Sequence, residues 1–186
     1  MAETEASRGL GRTLEGGAKW ALVIPILALV YGLDQWVKQL VVTTMEVGQA
    51  LEVIPGLLSW RFYLNSGAAF SLGQGSTWIF TLISSVAALV VASLIWRAKS
   101  LPWLLVLPLL LAGIVGNLHD RLFRPPAFGL GYVVDYISVG SFAIFNIADA
   151  AICVSMGLIV LLTFLGLGLD GSREEARPEK NKTEGE

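Results

Sequence analysis

At 186 residues, 54% hydrophobic and 15% charged, the chain is more apolar than soluble domains, which run at about 45–50% apolar and about 25% charged; one water-soluble core cannot hide that surface, so the chain needs lipid. Its net charge of −2 gives no reason to expect nucleic acid or an anionic surface as partner. With one cysteine, Cys153, and one histidine, His119, an internal disulfide, a cysteine-based zinc or iron–sulfur site and the multi-histidine metal motifs are excluded.

Residues 1–17 are polar and of mixed charge, and read as a disordered cytoplasmic tail. The apolar run at about 18–36 is the first of four that approach the ~20 residues an α-helix needs to cross the hydrocarbon core. A competing reading makes it a cleavable signal peptide, but no A-x-A site follows and the run leads into DQWVK. The outer loop 37–75 is too long for a mere connector. Within it SWRFYL sets Trp60, Phe62 and Leu64 on one face and Ser59, Arg61 and Tyr63 on the other, the period of a half-buried strand. QLVVTT and QALEVI, the latter ended by Pro55-Gly56, are candidate partners in a small sheet at the outer membrane surface. Spans two and three run at about 76–96 and 101–118; the third carries Pro108, which neighbouring helices can accommodate. In the second outer loop, 119–146, GYVVDYISV reads as a further extended piece. Span four covers about 147–168, and 170–186 forms a second cytoplasmic tail. The expected architecture is a membrane all-α domain over 18–169, four transmembrane helices with a small extracytoplasmic β-sheet between helices 1 and 2. No internal repeat of the transporter kind is visible.

Orientation follows from the basic residues. Arg8, Arg12, Lys19, Arg97, Lys99, Arg173, Arg177, Lys180 and Lys182 fall at one side of the four spans, and Lys38, Arg61, Arg121 and Arg124 at the other. Both termini are therefore expected in the cytoplasm and both long loops outside. In that arrangement Asp34, Lys38, Asn65, Asn117, Asp120, Arg121, Asp135, Asn146 and Asp149 all reach the outer interface. Ionisable groups near hydrocarbon are costly, about 2.5–3.5 kcal/mol at a helix centre, so their convergence at one depth marks a site. Each also has a plainer reading. Asp34 and Lys38, at i and i+4, can be a helix-end ion pair; Asp120 and Arg121 a structural salt bridge; Asn65 and Asn117 supports for loop backbone. Asp149, in the first turn of span four, can simply cap that helix. Asp135 is less easily dismissed, because it interrupts the apolar run YVVDYI. Two nucleophile readings, Cys153 with His119 and Ser66 with Lys38, lack a demonstrated pairing.

Five strings taken together, DQWVK (34–38), NSGAAFSLG (65–73), GNLHDRL (116–122), VVDYI (133–137) and FNIADA (145–150), resemble the bacterial lipoprotein signal peptidases, or signal peptidase II, a family of intramembrane aspartic proteases of the bacterial cell membrane. The resemblance covers about 20–169. It implies a catalytic dyad of Asp135 and Asp149, with Asp34, Lys38, Asn65, Gly67, Asn117, Asp120, Arg121 and Asn146 in support or in substrate binding. It further implies no metal or organic cofactor, and a diacylglyceryl-modified prolipoprotein as substrate, cleaved just before the lipidated cysteine by a chain surrounded by membrane lipid. All five strings lie on one chain, so a complete site needs no second copy and a monomer is expected. Two departures stand out: FRPPAFGLG lengthens the stretch before the catalytic-loop Asp, and His119 and Tyr136 stand where an aliphatic residue and Phe are common. The longer loop, 124–131, is a candidate lid.

Two carboxylates sharing one proton can activate water and protonate a leaving nitrogen, because like charges at close range do not both ionise comfortably. Asp149, near a positive helix end, is the expected ionised member and Asp135, among apolar neighbours, the protonated one. The competing classes are a small transporter or channel subunit, which would place its charges at mid-membrane, and a non-enzymatic scaffold, which would tolerate loss of either acid.

Overall fold

The computed structural model describes residues 12–67 and 77–173; most of both expected tails, and the motif from residue 68 onward, lie outside the described residues. The elements are α1 (Gly16–Thr44), β1 (Ala50–Ile54), β2 (Leu58–Asn65), α2 (Thr77–Arg97), α3 (Leu101–Phe123), β3 (Val133–Val139) and α4 (Ile147–Phe164). All four helices are long and apolar enough to span a membrane. They are not equivalent. In its most apolar window α3 is 61% buried, against 11–22% for the others, which makes α3 the axis on which α1, α2 and α4 pack. Glycines permit the tightest crossings: a β-carbon at Gly113 would sit 2.6 Å from the Ala148 carbonyl oxygen, and one at Gly116 2.7 Å from Asp34 Oδ2.

Two helices outrun their expected ends. α1 continues to Thr44, so QLVVTT is its last turns and not a strand. Its β-branched residues suit a strand, but tertiary packing overrides that preference: Val37 and Val41 are buried against Phe62, Val134 and Tyr136, and the Thr43 and Thr44 hydroxyls donate back to Leu40 O. α3 continues to Phe123, so Asp120 and Arg121 stand on the helix and not beyond it. α4, by contrast, stops at Phe164, with Gly166 in the left-handed region (φ +66°) directly after it.

The sheet is antiparallel with strand order β1-β2-β3. The hairpin expected between the first two helices is present, and β3 from the second outer loop extends it. The alternation in β2 holds: Phe62 is buried with Trp60 and Leu64 packed beside it, while Arg61 and Tyr63 are exposed. The pairs Asn65↔Val133, Leu64↔Val134 and Tyr63↔Asp135 fix the end of β2 beside the acid on β3. At the other end of the bundle the 98–101 turn gathers both ends of the described chain. Leu14 N donates to Lys99 O, Leu101 N to Arg12 O, and Lys99 N and Ser100 N both to Leu169 O. The chain inside the expected tail boundaries, residues 12–17 and 170–173, is thus partly tied to the domain.

Candidate active site

Asn146 is the N-cap of α4. Its Oδ1 accepts from Asp149 N at 2.9 Å, and Asp149 Oδ2 accepts from Asn146 N at 3.2 Å, a reciprocal capping box. The capping reading of Asp149 is therefore correct as far as it goes. It leaves Asp149 Oδ1, which accepts from Asn117 Nδ2 of α3 at 2.7 Å. The Asn146 amide nitrogen meanwhile donates to Asp135 Oδ1 at 2.7 Å and to Asn117 Oδ1 at 3.1 Å. From the end of β2, Asn65 Nδ2 reaches Asp135 Oδ2 at 2.9 Å. Asp135 and Asp149 thus share one ring of amides, with Asn146 touching both. Asn65 does hold loop backbone, accepting from Gly67 N at 2.7 Å, but Asn117 serves carboxylate and ammonium groups instead.

The two acids sit in unequal surroundings. Asp135 is 1% exposed. Burial raises its pKa from 3.8 to about 7, opposed by the Asn65 hydrogen bond, reinforced by the charge of Asp149, and opposed again by Asn146 and Lys38. Tyr136, next along β3, is buried against Trp60 with ring centroids 5.4 Å apart. Its hydroxyl accepts from Ile147 N at 3.4 Å, which ties the acid-bearing strand to the first turn of α4.

Behind the acids lies a second charged cluster. Lys38 Nζ, fully buried, reaches Asp34 Oδ2, Asp120 Oδ2 and Asn117 Oδ1, each at 2.9 Å. All three of its N–H donors are therefore used. Asp34 Oδ1 accepts from Ala148 N at 2.9 Å, a second anion at the α4 N-terminus. Asp120 Oδ1 accepts from Arg124 Nε at 2.6 Å and its Oδ2 from Val134 N at 3.2 Å. The i, i+4 pair of Asp34 and Lys38 is present, but Asp120 pairs with Lys38 and Arg124 and not with Arg121. Adjacent residues on a helix point about 100° apart, and Arg121 turns instead over the Phe80 ring, 5.9 Å from its centroid. There it donates to Asn117 O at 3.3 Å, has a buried Nε with no partner among the described residues, and feels the charges of Asp149 and Asp135.

Sequence reasoning missed three contributors. Gln35 donates to Gly116 O at 3.0 Å and to Asp34 Oδ2 at 3.2 Å, while Arg124 and the Val134 amide both serve Asp120. Gln35 lies inside DQWVK and Val134 inside VVDYI, and Arg124 opens the longer loop, but no pattern assigns them these partners. Gly67 adopts φ +88°, and a β-carbon there would lie 2.5 Å from the Phe80 ring. The alternative nucleophiles are not assembled. His119 Nδ1 is 2.9 Å from the Tyr31 hydroxyl, Cys153 is exposed, and Lys38 is occupied as described, leaving Ser66 without its base. Among the described residues no His, Cys, Asp and Glu group could hold a metal ion.

Comparison with known proteins gives the family and the fold. Residues 26–165 match the family described as Signal peptidase (SPase) II. The chain is 48% identical over 158 residues to the lipoprotein signal peptidase of Leifsonia xyli subsp. xyli, covering 82% of this chain and 72% of that one. It is 42% identical over 157 residues to the lipoprotein signal peptidase of Streptomyces coelicolor, covering 84% and 77%. A bacterial membrane enzyme solved by the in meso method at 1.9 Å superposes with a TM-score of 0.70 at 30% identity, covering 82% of this chain and 96% of that one.

Proposed function

The chain belongs to the signal peptidase II family, a family of membrane peptidases, and from that premise we propose that it is a lipoprotein signal peptidase working as an intramembrane aspartic endopeptidase. It removes the signal peptide from diacylglyceryl-modified prolipoproteins, cutting before the lipidated cysteine, with water activated between Asp135 and Asp149. The observation that carries this reading is the shared amide ring: Asn146 holds one oxygen of Asp135 and caps α4 at Asp149, while Asn117 and Asn65 hold the remaining partners.

In the resting enzyme Asp149 is ionised, stabilised by the helix N-terminus and two N–H donors, and Asp135 carries the proton. Asp149 takes a proton from water as the water oxygen attacks the scissile carbonyl carbon, and Asp135 gives its proton to the carbonyl oxygen. When the tetrahedral intermediate collapses, the C–N bond breaks, Asp149 returns its proton to the leaving nitrogen, and a hydroxyl of the intermediate reprotonates Asp135. Both acids end as they began. Arg121 is placed to hold substrate carbonyl groups beside the pair. With the sheet end of the molecule outside the cell, the signal helix and acyl chains stay in lipid while water arrives from the exterior. One chain supplies every group, consistent with a monomer.

The test is cleavage of a diacylglyceryl-modified precursor in detergent by the wild type, Asp135→Asn and Asp149→Asn, beside the unmodified precursor. Wild type should cleave only the lipidated form, and each variant should be slower by about 10³-fold or more at unchanged expression. Cleavage retained in both variants would remove the dyad.

A further inference from the structure

α1 and α2 both pack on α3 rather than on each other, and this leaves a groove between them at the end of the bundle remote from the acids. Its volume is about 300 Å³. Trp20, Ile24 and Ala28 of α1 form one wall, Ala92 and Trp96 of α2 the other, and Leu111 of α3 the floor. At 1.5 Å per residue, the stretch from Trp20 to Ala28 lies roughly 9–21 Å along the α1 axis from Asp34. Ala28 and Ala92 open the middle of the groove, because neither carries more than a methyl group. One end is closed. Trp20 and Trp96 meet with ring centroids 5.7 Å apart, and Lys19 Nζ, over the Trp20 ring, donates to Trp96 O at 2.7 Å.

That closed end is charged while the groove itself is apolar. Lys19, largely buried, uses one of its three donors on Trp96 O, and Arg97, the next residue after Trp96, is exposed at the end of α2. Lys99 is paired with Glu15 at 2.7 Å, which leaves Lys19 and Arg97 as the cations next to the tryptophan pair at this end of the groove. An aromatic pair, a lysine bearing an apolar stem and an arginine at a helix end are what a headgroup boundary selects. A cationic end on an acyl-sized slot complements one anionic headgroup with its chain. A signal peptide would fit less well, since its own N-terminal region is positively charged.

We propose that this groove is a binding site for a single anionic phospholipid of the leaflet facing the chain termini. One acyl chain lies between α1 and α2, and the phosphate sits at Lys19 and Arg97. The site is separate from the acids and goes beyond the peptidase reading.

The full-length protein in detergent is equilibrated with phosphatidylglycerol or with phosphatidylcholine of the same chains, and retained lipid is read by native mass spectrometry. Wild type should retain one phosphatidylglycerol, with a preference over phosphatidylcholine of about fivefold or more per cationic group. Lys19→Gln and Arg97→Gln should each reduce that preference. Ala92→Phe, which fills the slot, should lose the retained lipid whatever its headgroup, while cleavage activity shows that each variant is folded. Brominated phosphatidylglycerol should also quench the tryptophan emission of the wild type more than that of Trp96→Phe. Equal retention of the two lipids, or retention by Ala92→Phe equal to wild type, would mean ordinary annular lipid only and would overturn the proposal.

Discussion

Asp135 and Asp149 carry the same functional group in different settings, and the difference is what the chemistry uses. Asp149 receives N–H donors from the Asn146 backbone and the Asn117 side chain at the start of a helix. Asp135 is buried on a strand, where its pKa rises to about 7. We predict that kcat/KM falls as pH rises through about 7, because the proton Asp135 must donate is then lost. Asn146→Ala removes a donor that favours the ionised form, so it should move that alkaline limb to higher pH. The same change deletes the N-cap, at about 1 kcal/mol of stability, readable as a lower unfolding temperature. Folding itself is linked to the same proton. The folded chain binds it more tightly than the unfolded chain, so Asp135's contribution to stability declines as pH rises from about 4 to about 7. The unfolding temperature of Asp135→Asn relative to wild type should therefore improve between those limits, and a constant difference would contradict the raised pKa. Much of this site was legible beforehand, because polar residues stand out in apolar sequence. Their partners were not. Nothing in NLHDRL says that Asp120 turns to Lys38 and away from its neighbour Arg121, because that depends on which face of α3 meets α1.

The elements explain why charges can be kept so deep. Lys38 satisfies Asp34 of its own helix and Asp120 of α3 at once, and the α4 N-terminus supplies a further donor to Asp34. Lys38→Met should strand two buried carboxylates and destabilise the fold by about 3–5 kcal/mol; a loss below 1 kcal/mol in denaturant titration would mean the cluster is not coupled as described. Gly116→Val should separate α1 from α3 by displacing Asp34, lowering both stability and activity, whereas Gly32→Ala, with open space around its position, should change neither. The 124–131 loop is fastened by Thr81 Oγ1 to Gly129 O at 2.8 Å and by Gly131 N to Arg121 O at 2.9 Å. Shortening it should alter KM for the lipidated precursor through Arg121. The helices themselves were visible as apolar runs, but their ends were not. α1 and α3 carry on past the continuous apolar run because ion pairs and packing on the sheet, which the pattern does not show, hold one face of their final turns.

At the scale of the whole molecule, a bundle whose central helix is the best buried carries Asp135 and Asp149 at the sheet end and, among the described residues, Arg12, Lys19, Arg97, Lys99 and Arg173 at the other. α1, at 29 residues, is about 43 Å long, more than a ~30 Å hydrocarbon core requires, and its last turns pack beside the sheet. We propose that the termini are cytoplasmic and the sheet faces the exterior. In a Cys153→Ser background, a cysteine at Arg61 should react with a membrane-impermeant reagent in intact cells, and one at Lys99 only after permeabilisation. The reverse pattern would invert the orientation. The shared proton can be observed without substrate. Infrared titration of the purified protein, taken as wild type minus Asp135→Asn, should reveal one protonated carboxyl band that disappears with a midpoint of about 7. If no such band is present, or if it vanishes in the ordinary carboxylate range near 4, Asp135 and Asp149 do not hold a proton between them.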